Sequence, residues 1–359
     1  KGMRDEVAEG VPELSPLGRQ HLELHAWAKQ HPERGVLATP VALMLDFYNG
    51  WNMPRHLYRG DRYKIWGKFP YEKGDYLIDS VFRMIWPGYE DASYLRNERG
   101  FITPTPFGDL FDVITNRCPA EVLKQYSAVM LLGDVEMTSE VVQRLSAYVQ
   151  AGGDLVTDAR HARALPAELT GVRFGPEAKG CLSHVLSCGE TFQEQPYGYT
   201  VLSPAGARVL AINEQGHPLV TVHQAGQGRV IVGAADYWMT DGLTYAVPEI
   251  VNMEPPYQFL RGVESLLASY FDSFNPIQLD PPGLNVHTCC YDGDPKRILV
   301  GLINNDLFAA WHGSIRVRLG EAASANELWQ DRGLKIASRI ELEIPAGDVA
   351  ILEVWLKQG

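Results

Sequence analysis

Three pairs of carboxylates that lie close together in the sequence could do acid–base chemistry. They are Asp75 with Asp79, Glu90 with Asp91, and Asp109 with Asp112. Hydrolysis of a glycosidic bond needs two carboxyl groups about 5 Å apart, or about 6.5 to 9.5 Å apart in the inverting reaction. Neighbours in sequence rarely meet this requirement in space. In a chain with 44 Asp and Glu residues such pairs are also common. The sequence therefore favours a solvated face for them.

A cysteine nucleophile for amide hydrolysis would lie on the sharp turn after a buried strand, with a histidine to activate it. The turn after DLVTDA (154–159) reads Asp158-Ala159-Arg160-His161, without a cysteine, and no G-x-S-x-G pattern occurs. His161 and His184 are predicted to be ordinary polar loop residues. The sequence Gly226-Gln227-Gly228 precedes no helix, so it predicts a hairpin turn and not a nucleotide site.

The five cysteines, Cys118, Cys181, Cys188, Cys289 and Cys290, show neither C-x-x-C spacing nor an accompanying histidine pattern. The sequence therefore indicates no zinc site, no other metal or cofactor, and no disulfide framework. Reduced thiols favour a cytoplasmic location. Cys289 and Cys290 fall within one predicted strand and should point to opposite faces, which favours packing over a joint redox role.

A stretch between Phe47 and Phe107 concentrates large rings and polar groups in which no single period holds. Rings with hydrogen-bonding neighbours suit stacking against sugars, but Trp, Tyr and Arg are also enriched where a subunit or interdomain interface is sealed. Both interpretations remain open. The candidate residues are Trp51, Arg55, His56, Tyr58, Tyr63, Trp66, Tyr71, Trp86 and Tyr89.

Composition excludes some classes of partner. The net charge of −12 and the lack of a basic run argue against nucleic-acid binding. No apolar run approaches the roughly 20 residues that span a bilayer, so no membrane partner is expected. The polar opening KGMRDEVAEG begins at Lys1, as if the chain started partway through something longer.

Strand and helix patterns alternate through the middle of the chain. Pro16 begins a predicted helix after Ser15, and short apolar runs predict buried strands at 41–46, 127–134 and 154–159. Thr138 is the expected cap of a helix that Gly152 and Gly153 end. Residues 218–236 predict a hairpin, 259–274 an amphipathic helix, and PTPFGD (104–109) the start of another helix.

These patterns predict an α/β fold with a doubly wound, mainly parallel sheet, followed by a small antiparallel β-sandwich. The expected organisation is a helix and linker over 1–38, an α/β domain over 39–275 with an aromatic insert at 47–107, and the sandwich over 276–359.

Three stretches resemble parts of bacterial β-galactosidases of glycoside hydrolase family forty-two: YSAVMLLGDVEMTSEVVQRLSAYVQAGGDLV, HQAGQGRVIVGAAD and IELEIPAGDVAILEV. SPLGR is similar to the family's helix that leaves the catalytic barrel. The resemblance implies the C-terminal portion of such an enzyme: an α/β domain of class I glutamine amidotransferase-like type that mediates trimer formation, then the sandwich.

The resemblance also implies a partner and a role. The catalytic carboxylates would lie in a (β/α)8 barrel, in the same polypeptide or a partner chain, and this chain would be non-catalytic, homo-oligomeric and able to wall a neighbour's active site. Alternatives are a stand-alone carbohydrate-binding or scaffolding protein and, less favoured, an active amidotransferase-like enzyme. Residues upstream of Lys1 would discriminate the first two.

Overall fold

The computed structural model describes residues 4–7, 11–14, 16–49, 72–87, 104–242, 257–291 and 294–357. The chain divides into two compact units, of which one is Thr39–Asn275 and the other combines Lys1–Ala38 with Pro276–Gly359. Of the described residues, 42% lie in strands and 23% in helices.

The described helices, in chain order, are α1 (Pro16–Gln30), α2 (Lys73–Ile85), α3 (Ala120–Leu123), α4 (Ser139–Gln150), α5 (Ala159–Ala162), α6 (Ala167–Thr170) and α7 (Arg261–Asp272). A short 3₁₀ turn covers Asp236–Trp238. The described strands are β1 (Arg4–Val7), β2 (Val11–Leu14), β3 (Val36–Leu37), β4 (Val41–Leu45), β5 (Phe111–Thr115), β6 (Ala128–Leu131), β7 (Asp154–Asp158), β8 (Val172–Val185), β9 (Glu190–Pro204), β10 (Arg208–Ile212), β11 (Pro218–Ala225), β12 (Gly228–Gly233), β13 (Ile277–Asp280), β14 (Asn285–Tyr291), β15 (Asp294–Ile303), β16 (Trp311–Val317), β17 (Ala322–Glu327), β18 (Arg332–Gly333), β19 (Ile340–Ile344) and β20 (Val349–Leu356).

One mixed sheet organises the described part of Thr39–Asn275. Its nine strands follow the order β5-β4-β6-β7-β12-β11-β10-β8-β9. The pairs from β5 through β12 are parallel, and the pairs from β12 through β9 are antiparallel. The sheet therefore changes from parallel to antiparallel at β12.

The predicted fold class was wrong. A doubly wound, mainly parallel sheet of class I glutamine amidotransferase-like type does not describe this unit, because four of its nine described strands pair only antiparallel. The longest strands of the chain, β8 and β9, have 14 and 15 residues and belong to this antiparallel part.

Strands β8 and β9 were not predicted from the sequence because their pairing is locally irregular. Their pairing shifts register between Phe174 and Glu177 and again between Gly180 and Leu182. A bulge moves every following side chain to the other face of the sheet, so no regular alternation survives along the strand. Glycine and proline within strands weaken the signal further.

The structure confirms the buried parallel strands that the apolar runs predicted. β6 and β7 are buried along their whole length and β4 almost so, as expected for strands covered on both faces. The Thr138 hydroxyl accepts from Val141 N at 3.3 Å and caps α4. Gly152 then takes a φ of +117°, which ends the helix. The predicted hairpin of β11 and β12 and the amphipathic helix α7 are also confirmed.

Two predicted assignments in this unit were wrong. PTPFGD does not begin a helix, since it leads into strand β5, whose FDVIT sequence is β-branched and aromatic. Asp75 and Asp79 do not lie on a solvated face, since both are buried on α2. The Asp75 carboxylate accepts from Glu72 N at 3.0 Å, and Asp79 pairs with Arg83 at 2.8 Å.

Besides the two-stranded sheet of β1 and β2, the second unit contains two antiparallel sheets in its described residues. One has the order β13-β16-β19, and the other β18-β17-β20-β15-β14-β3. Side chains of both sheets share one hydrophobic core, for example Ile315 and Ile344 of the first with Val300 and Leu352 of the second. All five cysteines of the chain are free thiols, and Cys289 and Cys290 lie within strand β14 as predicted.

Candidate functional site at the carboxyl edge

Aspartates follow the parallel strands at the end where these strands finish, here called the carboxyl edge. Asp46 follows β4, Asp134 follows β6, Asp158 ends β7 and Asp236 follows β12. Asn116 follows β5. Carboxyl ends of parallel strands meet at one edge of a sheet, where ligands of such folds gather. A functional site is therefore expected at the carboxyl edge.

Asp46 holds the loops that leave neighbouring strands. Its carboxylate accepts from the backbone N of Tyr48, Asn49 and Glu136 at 2.8, 2.9 and 2.9 Å, and from Asn116 Nδ2 at 2.6 Å. Burial disfavours the charged form, but these donors outweigh burial and lower the pKa of Asp46. With its acceptor positions used, Asp46 is a structural anchor and not a ligand group.

Asp158 and His161 form a buried pair on the strand-to-helix turn. Asp158 Oδ1 accepts from His161 Nδ1 at 2.7 Å and from His161 N at 3.1 Å, while Oδ2 accepts from Tyr237 N at 2.7 Å. Burial opposes ionisation, yet the hydrogen bonds from His161, with the charge of Arg160, lower the pKa of Asp158. His161 is thus a buried helical residue. The prediction that His161 and His184 are loop residues was wrong, since His184 lies on β8.

An aspartate that orients a histidine is two-thirds of a hydrolytic triad, so the third position decides what the pair can do. His161 Nε2 lies 3.1 Å from Arg160 Nη2. A guanidinium can only donate, so Nε2 accepts from it and Nδ1 carries the proton shared with Asp158. The nitrogen that would activate a nucleophile is already occupied.

The cysteines of this unit are also not placed as activated nucleophiles. Cys118 Sγ contacts Pro119 O, Cys181 Sγ contacts Glu214, and Cys188 Sγ contacts Val185 O. Burial raises the pKa of Cys118, which keeps it a thiol. Ala159 occupies the position after β7 where a nucleophile would stand.

Arg160 and Tyr237 tie the turn after β12 to the loop after β6. Arg160 Nη1 pairs with Asp134 at 2.6 Å, and its guanidinium lies 4.1 Å from the centre of the Tyr237 ring. The Tyr237 hydroxyl donates to Asp134 at 2.5 Å. Tyr237 and Trp238 have φ values of +56° and +57°, a conformation that non-glycine residues rarely adopt. The network holds this strained turn in place.

Lys73 and Asp236 are two further charged groups at the carboxyl edge, and the side chain of neither forms a hydrogen bond or an ion pair with a residue the structure describes. Burial lowers the pKa of Lys73, against the attraction of Asp241, Asp236 and Asp158. Burial and the charge of Asp158 raise the pKa of Asp236, against Lys73, Arg160 and Arg163.

Unpaired charges with perturbed pKa values at a sheet's carboxyl edge mark a candidate site. The Lys73 ammonium lies 5.6 Å from the centre of the Tyr257 ring, which in turn lies 5.4 Å from the ring of Tyr76. Lys73 can donate and Asp236 can accept, and the neighbouring rings offer apolar faces. Such a set can contact a hydroxyl-rich ligand or the polar rim of a partner surface.

Asp236→Asn is expected to raise the free energy of unfolding by about 0.5 kcal/mol at neutral pH, because a half-buried carboxylate that accepts no hydrogen bond from the described residues is replaced by a neutral amide. Solvent at this partly exposed site keeps the effect small. The folded pKa lies above the unfolded value of about 3.9, so the carboxylate costs stability at neutral pH and the cost vanishes as pH falls through the folded pKa.

Urea unfolding of both proteins at neutral pH and near pH 4 measures this effect. Glu168→Gln, at an exposed carboxylate of α6, is the matched control and should leave the free energy unchanged. A destabilised Asp236→Asn protein would mean that the carboxylate has a stabilising partner. Asp236 would then no longer be a candidate site residue.

Most of the sequence-predicted site residues lie outside the described ranges: Trp51, Arg55, His56, Tyr58, Tyr63, Trp66, Tyr71 and Tyr89. Trp86 lies within them, directly after α2. Its ring is partly buried and packs edge-on against Phe82 at 5.2 Å. Of the carboxylate pairs, Glu90 and Asp91 are also outside, and Asp112 accepts from Thr39 Oγ1 and Tyr126 OH.

Sequence reasoning missed the carboxyl-edge cluster although its signal was present. The apolar runs at 41–46, 127–134 and 218–236 each finish on an aspartate, and DLVTDA carries one before its last residue. Parallel pairing then brings these positions together. Lys73 had no comparable signal, since its place at the start of α2 depends on the path of the chain.

Within the described ranges, no three His, Cys, Asp or Glu side chains are grouped so that they could hold a metal ion. A search of the same residues for a helix long and apolar enough to cross a membrane finds none.

Neither protein-family models nor curated protein sequences match the chain. Solved structures do match it in fold. The β-galactosidase from Bacillus circulans sp. alkalophilus has 15% identity and a TM-score of 0.54 over 95% of this chain and 45% of its own. A catalytic mutant of a family forty-two β-galactosidase from G. stearothermophilus has 14% identity and a TM-score of 0.53 over 95% and 44%. The cold-adapted β-galactosidase from Rahnella sp. R3 has 17% identity and a TM-score of 0.50 over 94% and 44%.

At these identities the likeness shows the fold alone. The chain spans less than half the length of each of these three structures. It therefore shares the fold of a part of β-galactosidases of this kind.

Proposed function

We propose that the chain is a non-catalytic part of a glycoside hydrolase that acts on β-galactosides or related glycans, where it serves assembly and walls the active site. The observation that carries the proposal is the fold likeness to β-galactosidases, which extends over 95% of this chain but only 45% of the first of them. Its partner would be a catalytic (β/α)8 barrel, in the same polypeptide or another chain, in a cytoplasmic homo-oligomer that the resemblance predicts to be a trimer.

The carboxyl edge supports a non-catalytic role. His161 has both ring nitrogens engaged, by Asp158 and by Arg160, and Ala159 stands where a nucleophile would be needed. Lys73 and Asp236, by contrast, are charged groups still able to contact something outside the described residues. Together with the aromatic stretch they would supply the surface that faces a sugar or a neighbouring subunit.

The purified chain is expected to release no ammonia from glutamine and to cleave no aryl β-galactoside. Light scattering on the wild type and on Trp66→Ala then tests the role of the aromatic stretch. A lower mass for Trp66→Ala supports an interface, and an unchanged mass with weaker binding of lactose supports a sugar-facing wall. Trp66→Phe retains a ring and should behave nearly as the wild type.

Phe308→Ala removes a ring that is 75% exposed in the other unit and controls for general loss of aromatic surface. Turnover that survives purification and is lost with one substitution in this chain would overturn the non-catalytic role. If Trp66→Ala changes neither mass nor lactose affinity and only lowers thermal stability, the aromatic stretch is core and the proposed role in assembly fails.

A further inference from the structure

A cavity of about 280 Å³ lies in the unit that combines Lys1–Ala38 with Pro276–Gly359. The C-terminal end of α1 and the residues after it form one wall, with Trp27, His31 and Glu33. Strands β14 and β15 form another, with Tyr291 and Arg297. Ligand pockets usually enclose about 300–1,000 Å³, so this cavity lies just below that range and suits only a small ligand.

The cavity is lined by rings. Trp27 and His31 stack with ring centres 4.4 Å apart and an angle of 18° between their planes. Tyr291 also lines the cavity, with the Arg297 guanidinium 4.0 Å from its ring centre. The ring centre of Trp329 lies 6.4 Å from that of Trp27. Aromatic rings fixed by such contacts present area at little cost in conformational entropy.

The charges of the cavity balance. Arg297 is neutralised by Glu353, whose Oε1 lies 2.8 Å from its Nε. Arg34 donates to Ala28 O at the end of α1, and Glu33 has the opposite charge beside it. A phosphate or a polyanion would meet no unpaired cluster of cations here, and a cation would meet no cluster of acids.

Donors and acceptors nevertheless lie side by side next to the rings. The Glu33 carboxylate can only accept, Arg34 can only donate, and the Gln30 amide does both. A sugar hydroxyl both donates and accepts, and a pyranose ring also has an apolar face. We infer that this cavity is a binding site for a neutral saccharide of one or two rings. The inference rests on this unit alone and does not depend on the proposed function.

Titration calorimetry and saturation-transfer NMR with lactose and with cellobiose test the inference. Saturable binding is expected with a Kd on the order of 1 mM, because a small site offers few contacts. Trp27→Ala should weaken binding by about tenfold, and Glu33→Gln by about three- to tenfold, the effect of one hydrogen bond. Phe308→Ala and Leu22→Ala, at exposed positions outside the cavity, should leave the affinity unchanged.

Glu33→Gln keeps the test decisive if Trp27→Ala does not fold, since Glu33 is exposed and its replacement costs no packing. Circular dichroism establishes folding for each variant. Failure of both disaccharides to bind would refute the inference, and so would full affinity in both cavity variants. Inorganic phosphate that binds more tightly than either sugar would also refute it, because the argument from balanced charge would be wrong.

Discussion

Asp158→Ala is expected to lower the free energy of unfolding by about 3–5 kcal/mol. The Asp158 carboxylate is 1% exposed and accepts from three donors: His161 Nδ1, His161 N and Tyr237 N. Alanine leaves these donors buried without an acceptor, and each unsatisfied group costs about 1–3 kcal/mol. The strained turn at Tyr237 also loses one of the bonds that hold it.

The pH dependence of this effect has a definite sign. The pKa of Asp158 is lowered in the folded protein, so its contribution is complete above the unfolded value of about 3.9 and is lost as pH falls through the folded pKa. The difference between wild type and Asp158→Ala should therefore be constant near neutral pH and shrink below about pH 4.

Urea unfolding of the wild type and of Asp158→Ala across this pH range measures the loss of stability and its pH dependence. Glu168→Ala, at an exposed carboxylate of the same unit, should change stability by less than about 0.5 kcal/mol. Asp158→Asn keeps one acceptor oxygen and should lie between wild type and alanine. A loss below about 1 kcal/mol for Asp158→Ala would show that the Asp158–His161 pair does not hold the carboxyl edge together.

The parallel part of the fold was accessible from sequence because its strands carry an unambiguous signal. β6 is four apolar residues and β7 is buried throughout, so both stand out from their surroundings. The signals for α4 lie at its ends, with Thr138 before it and Gly152 after it. These features are local, and no partner from elsewhere in the chain is needed to interpret them.

The antiparallel part lacked such a signal. β8 and β9 are held by each other, with a register that shifts twice, and their burial pattern follows the pairing and not the sequence period. The fold class was therefore assigned from the strands that could be recognised. Because β8, β9 and β10 were not predicted, the mixed sheet was taken for a mainly parallel one.

The candidate site likewise has features that the sequence could predict and features that it could not. The absence of a cysteine at Ala159 could be seen in the sequence, which was enough to argue against amide hydrolysis. That His161 Nε2 accepts from Arg160 could not be seen, because it depends on how Arg160 reaches Asp134 across the loop after β6. Asp75 and Asp79 were misjudged because helix α2 lies within a stretch whose period was obscured by its many rings.

Trp238→Ala is expected to cost about 3–5 kcal/mol, the range for removing a large buried aromatic side chain. Trp238 is 1% exposed, and its ring packs against Gly233, where a Cβ atom would lie 2.4 Å from the ring carbons. Gly233→Ala should accordingly cost about 1–3 kcal/mol by overpacking. The two residues fill one space from opposite sides.

A double-mutant cycle on these two positions separates packing from the strain of the turn. If the ring and the missing Cβ exclude each other, Gly233→Ala should cost little in the Trp238→Ala background, because the added methyl enters the cavity that the indole leaves. Urea unfolding of the four proteins gives the coupling free energy, expected at about 1–3 kcal/mol. Strictly additive losses would mean that the ring does not hold its place against Gly233. The positive φ of Trp238 would then have to be maintained by Asp158, Asp134 and Arg160 acting on Tyr237 alone.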